Sequence, residues 1–138
     1  KQHAGEKKQI KRAIKPRAFR TSSGLRVSVG RNNKQNDQLT CKEAAPGDYW
    51  FHTQKIHGSH VILHTEGNAP DAQSMTEAAL LAAYYSQARE GQNVPVDYTP
   101  VRYVKKPAGA RPGMVIYTTY QTAYVTPEER LVKALRET

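Results

Sequence analysis

One segment restricts the possible folds of this chain more than any other, because it predicts a helix without a polar face. Residues 77–85, EAALLAAYY, are apolar at nearly every position. Such a helix has to be covered on more than one side, and its four alanines let it lie close to a sheet. Ser74 and Glu77 are spaced as a capping box, so the helix is predicted to run from Asp71 or Ser74 to Glu90.

Short apolar stretches on both sides of this helix predict strands. FRTSSGLRVSVGR (19–31) alternates apolar and polar residues around a Ser-Ser-Gly turn, which predicts a hairpin. The other predicted strands are DYWF and SHVILHT before the helix, and VPVDYT, VRYVKK, GMVIYTT and TAYVT after it. The chain is therefore predicted to be an α+β domain, a mostly antiparallel sheet packed against one long buried helix, with short terminal helices.

The two ends of the chain are predicted to form short helices of different character. The opening KQHAGEKKQIKRAIKPRAFR holds eight Lys or Arg against one Glu, which predicts a basic helix that ends before a proline. Residues 1–18 are thus assigned to a basic tail and residues 19–138 to the folded domain. At the other end, Thr126 and Glu129 are spaced as a second capping box, with a proline between them.

Charge and cysteine content narrow the partners and the compartment. The chain has 21 Lys and Arg against 12 Asp and Glu, a net charge of +9, which favours nucleic acid ahead of an anionic membrane surface. The single Cys41 cannot form an internal disulfide, which predicts a cytoplasmic protein. No stretch of about 18 apolar residues is present, so no membrane span is predicted.

Histidines are concentrated in residues 47–64, which raises the question of a metal site or a nucleophile. His60 and His64 would share one face of a strand, so their imidazoles are predicted to converge, but their spacing with His57 matches no zinc motif. Ser59 and His60 are adjacent and would point to opposite faces, which does not suit nucleophilic catalysis. No catalytic residue, metal ligand or cofactor is therefore predicted.

The same segment holds residues that suit either a core or a nucleic-acid surface. Trp50 and Phe51 are neighbours on a strand and point to opposite sides of the sheet. Phe51 is predicted to be buried, and Trp50 is predicted to lie in the core or to face a base. The loop at Gly58 and Ser59 can present backbone N–H groups and a hydroxyl to a phosphate.

A long stretch without acids is the clearest sign of a nucleic-acid surface. Thirty residues between Asp97 and Glu128 contain no Asp or Glu. Cations for phosphates and rings for exposed bases alternate in this stretch, although a single Tyr is more often part of a sheet face. The residues concerned are Arg102, Lys105, Lys106 and Arg111, with Tyr98, Tyr103, Tyr117, Tyr120 and Tyr124.

The polar segment VGRNNKQND is the remaining candidate for contacts with RNA. Gly30 permits a turn that other residues resist, and Arg31 offers a forked donor to phosphate. The residues that follow suit either RNA contacts or ordinary turn chemistry. A short helix is predicted after this turn, capped by Asn36 or Asp37.

Six blocks of the sequence, in order, resemble the NFACT-R domain, the C-terminal RNA-binding part of NFACT proteins. They are VGRNNKQND, LTCKEA, DYWFHTQKIHGSHVIL, EAALLAAYYSQAR, VPVDYTPVRYVKKPAGARPGMVIY and TAYVTP, and together they cover nearly everything from Phe19 to Pro127. The basic tail would then be the end of the family's central coiled coil. His57 stands where the family usually has proline.

The resemblance implies a non-enzymatic binding module of ribosome-associated quality control. Its expected ligands are the rRNA of large ribosomal subunits obstructed by peptidyl-tRNA, and tRNA, and its expected activity is to support C-terminal alanine tailing of stalled chains. The other domains of the same full-length protein are further expected partners. The residues predicted to bind RNA, from the motifs and the charge pattern together, are Arg20, Arg26, Arg31, Asn32, Asn36, Asp37, Trp50, His52, Gly58, Ser59, His60, Arg102, Lys105, Lys106 and Arg111.

Two other classes of function remain open at this point. One is a metal-dependent enzyme domain that processes or modifies RNA, with Asp48 and the histidines as ligands or acid-base groups. The other is a surface adhesin, because bacterial relatives of the resembled family also carry an older label as fibronectin-binding proteins.

Overall fold

The computed structural model describes residues 14–137 as an α+β domain. Its strands are β1 (Arg17–Arg20), β2 (Arg26–Val29), β3 (Tyr49–Thr53), β4 (Val61–Leu63), β5 (Val94–Pro100) and β6 (Gln121–Val125). Its helices are α1 (Asn33–Gln38), α2 (Ala72–Tyr84) and α3 (Glu129–Leu135), with a π-helical turn at Leu39–Glu43 and a 3₁₀ turn at Val101–Tyr103. Most of the basic tail predicted over 1–18 lies outside the described residues, and β1 begins at Arg17.

The six strands form one sheet in which every neighbouring pair is antiparallel. Their order is β1-β2-β4-β3-β5-β6, so β3 and β5 pair across the helix α2 that separates them in sequence. The α+β class, the antiparallel sheet and the hairpin of β1 and β2 are confirmed. Of the helices in residues 14–137, none combines the length and apolar character that crossing a membrane requires.

Helix α2 covers one face of the sheet and forms the main core with it. Ala78, Leu81 and Ala82 of the helix pack with Phe51 and Leu63 of the strands, and all five are fully buried. The small alanines bring the helix close to the strands, as the sequence predicts. Helix α3 lies on the same side, where Val132 joins this core.

Of the two predicted starts of α2, Asp71 is correct and Ser74 is wrong, and the predicted end at Glu90 is also wrong. Asp71 is the N-cap, since its carboxylate accepts a hydrogen bond from the backbone N–H of Ser74 at 3.1 Å. Glu77 does not close a capping box, because it accepts instead from the backbone N–H of Ser22 in the β1–β2 turn at 2.8 Å. The helix ends at Tyr84 rather than Glu90, because the chain leaves it to pair with the β3–β4 loop.

The opposite face of the sheet carries a second, smaller core. Trp50 and Ile62 point to this face and pack with Leu39 and Val101. The pleat therefore sends Trp50 and Phe51 to different sides, and both are buried. α1, its π-helical turn and the segment 104–117 cover this second core.

The segment 104–117 is predicted from sequence to contribute to two strands, VRYVKK and GMVIYTT, and that prediction is wrong. Only an isolated bridge joins Lys105 to Ile116, with N–H to O distances of 2.8 Å in both directions. Two prolines and two glycines with positive φ interrupt the chain between these residues and prevent a longer ladder.

The second predicted capping box, at the start of α3, is also wrong. Glu128 occupies the cap position and makes no side-chain cap bond. The hydroxyl of Thr126 accepts from the backbone N–H of Asn93 at 3.0 Å, so it fastens the start of β5 rather than the helix.

Candidate nucleic-acid interface

An open cleft of about 790 Å³ lies on the face of the sheet opposite α2. Its walls come from α1, the end of β3, the β3–β4 loop and the segment 104–117. The sequence elements that form it are far apart in the chain and meet only in the folded domain. Six of the fifteen residues predicted to bind RNA line the cleft, namely Asn36, Trp50, His52, Gly58, His60 and Arg111.

The turn after β2 places α1 at the edge of the cleft. The backbone N–H of Gly30 donates to His60 O at 3.1 Å, and a Cβ on Gly30 would overlap Asn36 Oδ1. Only glycine allows this approach. Asn36 Oδ1 accepts from the backbone N–H of His60 at 3.1 Å. Asn36 is a buried residue of α1, and this bond holds the helix to the segment that precedes β4.

The cap predicted for α1 is one turn too late. Asn32 has the extended backbone of an N-cap, and its side chain accepts from the backbone N–H of Gln35 at 2.9 Å. Asn36 and Asp37 lie within the helix instead. Arg31 is exposed just before the cap, and its guanidinium donates to Lys15 O at 2.7 Å.

His60 is a structural residue of the cleft floor. Its Nε2 donates to Gly113 O at 3.1 Å, since a carbonyl can only accept, and its Nδ1 therefore accepts from Thr40 Oγ1 at 2.8 Å. Burial lowers the pKa of His60 to about 3. The ring is neutral at physiological pH and cannot serve as a cation for phosphate.

The imidazoles of His60 and His64 do not converge as predicted, because they lie at opposite ends of the short β4 and contact different residues. His64 contacts Ser28 and Asp48 instead, with Nδ1 lying 3.4 Å from the Asp48 carboxylate. His52 takes its place beside His60, with ring centroids 5.5 Å apart. Burial also lowers the pKa of His52, which stacks on Trp50 with centroids 5.7 Å apart.

Asp37 fastens the segment 104–117 to α1. Its Oδ1 accepts from the backbone N–H of Gly113 at 3.0 Å and from Lys106 Nζ at 2.9 Å. The hydrogen bond from Gly113, followed by that from Lys106, lowers the pKa of Asp37. Lys106 also donates to Arg111 O at 2.7 Å, so its ammonium is used within the domain. Asp37 thus has a structural role in this part of the domain.

Three exposed cations surround the mouth of the cleft. These residues, Lys34, Lys55 and Arg111, are called the cationic rim. Within residues 14–137, no carboxylate lies at ion-pair distance from any of them. The charge pattern of the sequence indicated Arg111 but neither of the two lysines. Lys34 lies inside VGRNNKQND and Lys55 lies in the turn after β3. Both lysines could therefore have been predicted from the candidate RNA-binding residues next to them in sequence.

The remaining predicted residues do not line the cleft. Arg20 pairs with Glu137 at 2.7 Å, and Arg26 lies 4.0 Å from Glu66, so both are at the β1–β2 edge beside acids. The guanidinium of Arg102 stacks over the Tyr103 ring at 5.0 Å. The other predicted residues that do not line the cleft are Arg31, Asn32, Asp37, Ser59, Lys105 and Lys106.

The tyrosines of the acid-free stretch separate into two groups. Tyr98 stacks on Phe51 with centroids 5.5 Å apart, so it belongs to the side of α2. Tyr117 lies on the cleft side, where its ring centroid is 4.7 Å from that of Trp50 and 5.2 Å from that of Tyr120. Its hydroxyl donates to the buried Asp97 at 2.7 Å, which fixes the ring in the cleft wall.

Nothing in residues 14–137 forms a group of three His, Cys, Asp or Glu side chains that could hold a metal ion. Asp48 accepts from the backbone N–H groups of Ala45 and Thr65, each at 3.0 Å, and so fixes local backbone. The backbone N–H of Ser59 donates to Tyr85 O at 2.9 Å. These contacts give Asp48 and Ser59 structural roles.

A sheet with a cation-rimmed, aromatic cleft on one face defines a class of small domains suited to binding nucleic acid. The model of the NFACT protein RNA binding domain matches residues 15–118, and this chain belongs to that family. The expected resemblance is therefore confirmed.

Relatives and a solved structure agree with this assignment. A protein named Rqc2 homolog RqcH from Bacillus subtilis is 45% identical over 137 residues, which are 99% of this chain and 24% of that protein. A protein of the same name from Streptococcus suis is 40% identical over 131 residues, 94% of this chain and 24% of that protein. This chain thus spans about a quarter of the length of these relatives.

The solved structure is the C-terminal part of the fibronectin/fibrinogen-binding protein from Streptococcus suis. It superposes with a TM-score of 0.88 and is 40% identical, covering 93% of this chain and 51% of that one.

Proposed function

We propose that this chain is the RNA-binding module of a cytoplasmic ribosome-associated quality control factor. In this role it binds the rRNA of obstructed large ribosomal subunits and tRNA, and it supports C-terminal alanine tailing of stalled nascent chains. It works together with the other domains of its full-length protein. Membership of the NFACT RNA binding domain family and the name of the relatives support the proposal.

The observation that carries the RNA-binding role is the cationic rim. Its three side chains are exposed and lie at the mouth of one cleft, and acids of residues 14–137 do not neutralise them. Cations in this arrangement attract phosphates without regard to base sequence. The role is binding rather than catalysis, because the buried His60 and Asp48 are engaged in bonds that hold the fold.

Charge reversal at the rim tests the role. We expect Lys34→Glu with Lys55→Glu to weaken binding of the 138-residue chain to tRNA about tenfold or more, since two phosphate contacts become repulsive. Fluorescence anisotropy with labelled tRNA measures this, and co-sedimentation measures binding to large subunits. The matched control is Arg130→Glu with Lys133→Glu on α3, which changes the net charge equally on the side of α2.

Equal losses in both double variants would mean that net charge alone attracts the RNA. Unchanged tRNA affinity in the rim variant would remove the site from this cleft.

A second candidate is binding to fibronectin, which the name of the structurally similar Streptococcus suis protein favours. Surface plasmon resonance of the 138-residue chain over immobilised fibronectin tests it. Saturable binding that survives the rim charge reversal would support a separate adhesive surface, and the absence of binding would remove this candidate.

A further inference from the structure

Below the cationic rim, the cleft is neutral and largely apolar. Trp50 and His60 contribute to its floor and are almost fully buried. Burial lowers the pKa of His60 and of His52, so neither ring is charged near neutral pH. Ile56 and Met114 add apolar surface to the walls. Phosphate therefore belongs at the rim, and the interior suits an uncharged ring.

The wall formed by the segment 104–117 is preorganised for such a ring. Tyr117 is held by its hydrogen bond to Asp97 and by its contact with Trp50. Met114 lines the cleft, and 45% of its surface is exposed and therefore accessible to a ligand. A methionine beside aromatic rings provides a polarisable surface on which a flat ring can rest.

One buried polar atom of a residue that lines the cleft has no partner. Trp50 Nε1 is the buried side-chain nitrogen or oxygen of residues 14–137 that makes no hydrogen bond within them. A buried N–H of this kind costs free energy unless an acceptor reaches it. Nucleobases carry carbonyl and ring-nitrogen acceptors on their edges.

We infer that the cleft accepts one unpaired nucleotide of the RNA bound in the role proposed above. Its base enters between β3 and the segment 104–117, while its phosphate stays at the cationic rim. A paired base is enclosed in its stack and cannot reach the cleft floor, whereas an unpaired base can be turned out and stacked on protein rings. The volume of about 790 Å³ lies in the usual range for small-ligand sites.

Three RNA hairpins with one stem test this inference. The first carries a single bulged uridine, the second an abasic ribose at the same position, and the third is fully paired. The first two have the same charge, so a difference between them reports the base alone. We expect the 138-residue chain to bind the uridine bulge about tenfold more tightly than the abasic bulge, as stacking of one base supports.

Two variants of the same segment locate the effect. Met114 and Ile116 are both exposed apolar residues, but only Met114 lines the cleft. We expect Met114→Ala to reduce the preference for the uridine bulge severalfold and Ile116→Ala to retain it. A 4-thiouridine at the bulge should cross-link to residues 112–117 or to residues 55–58, mapped by mass spectrometry.

Equal affinity for the uridine and abasic bulges, or cross-links confined to the β1–β2 hairpin, would overturn the inference. In that case binding still depends on Lys34 and Lys55, and the proposed RNA-binding role stands. If no hairpin binds even in dilute buffer, the proposed role itself fails, so the two failures are distinct.

Discussion

Asn36 links three parts of the chain through one side-chain oxygen. It leaves room only for glycine at position 30 and accepts from the backbone N–H of His60. The sequence marked Asn36 and His60 as RNA contacts, and the strand alternation correctly placed Phe51 in the core. The hydrogen bond between Asn36 and His60 could not be predicted from the sequence, because it joins residues 24 positions apart and no local pattern encodes such a pair.

The buried state of His60 predicts a pH dependence of folding stability. The pKa of His60 is about 3 in the folded domain and about 6.5 in the unfolded chain. Between these values the unfolded chain binds a proton that the folded domain does not, so the free energy of unfolding falls as pH falls through this window. The loss is at most roughly 1.4 kcal/mol per pH unit.

Denaturant unfolding between about pH 7.5 and pH 4 measures this effect. We expect His60→Gln to be less stable than the unmodified chain at the upper pH and to lose less stability on acidification. The exposed His57→Gln serves as the matched control and should follow the unmodified chain. A His60→Gln curve parallel to that of the unmodified chain would show that His60 does not carry the dependence.

At the scale of elements, pattern and propensity predicted most of the strands and the buried helix better than their ends. The apolar run of α2 is long enough to predict the helix firmly, but the sequence left its start open between Asp71 and Ser74, and Asp71 is the N-cap. The capping box of Ser74 and Glu77 does not form because the β1–β2 turn engages Glu77. The segment 104–117 has strand-like residues, yet its prolines and glycines leave it dependent on tertiary bonds for its position.

Asp37 is predicted to control the order of the segment 104–117. Asp37→Ala removes the acceptor for the backbone N–H of Gly113 and for Lys106 Nζ, while alanine keeps the helix propensity of α1. We expect faster amide hydrogen exchange across 104–117, with exchange in α2 nearly unchanged. Glu90→Gln, at an exposed acid beyond α2, is the control. Unaltered exchange in 104–117 would mean that the second core alone holds the segment.

At the scale of the whole molecule, the net charge pointed to a polyanionic partner, and the resemblance to the NFACT-R domain was confirmed by the family match. Neither the net charge nor the resemblance could show which cations lie at the cleft. The acid-free stretch directed attention to Lys105 and Lys106, but Lys106 is engaged by Asp37. Lys34 and Lys55 come from other parts of the chain and reach the cleft only through the sheet topology. Reversing Lys105 and Lys106 would therefore loosen the segment as well as remove charge.

The salt dependence of RNA binding follows from this distribution of charge. Three rim cations that each contact a phosphate predict a slope of about −2 in a plot of log affinity against log salt for single-stranded RNA, at about 0.7 per contact. Lys55→Ala should make that slope shallower by about 0.7, whereas Lys133→Ala on α3 should leave it unchanged. Titrations of a labelled single-stranded RNA at several salt concentrations measure both. Because phosphates carry no sequence information, RNAs of different sequence and equal structure should give the same slope. A slope near zero would contradict an electrostatic interface and would require direct recognition of bases as the main source of affinity.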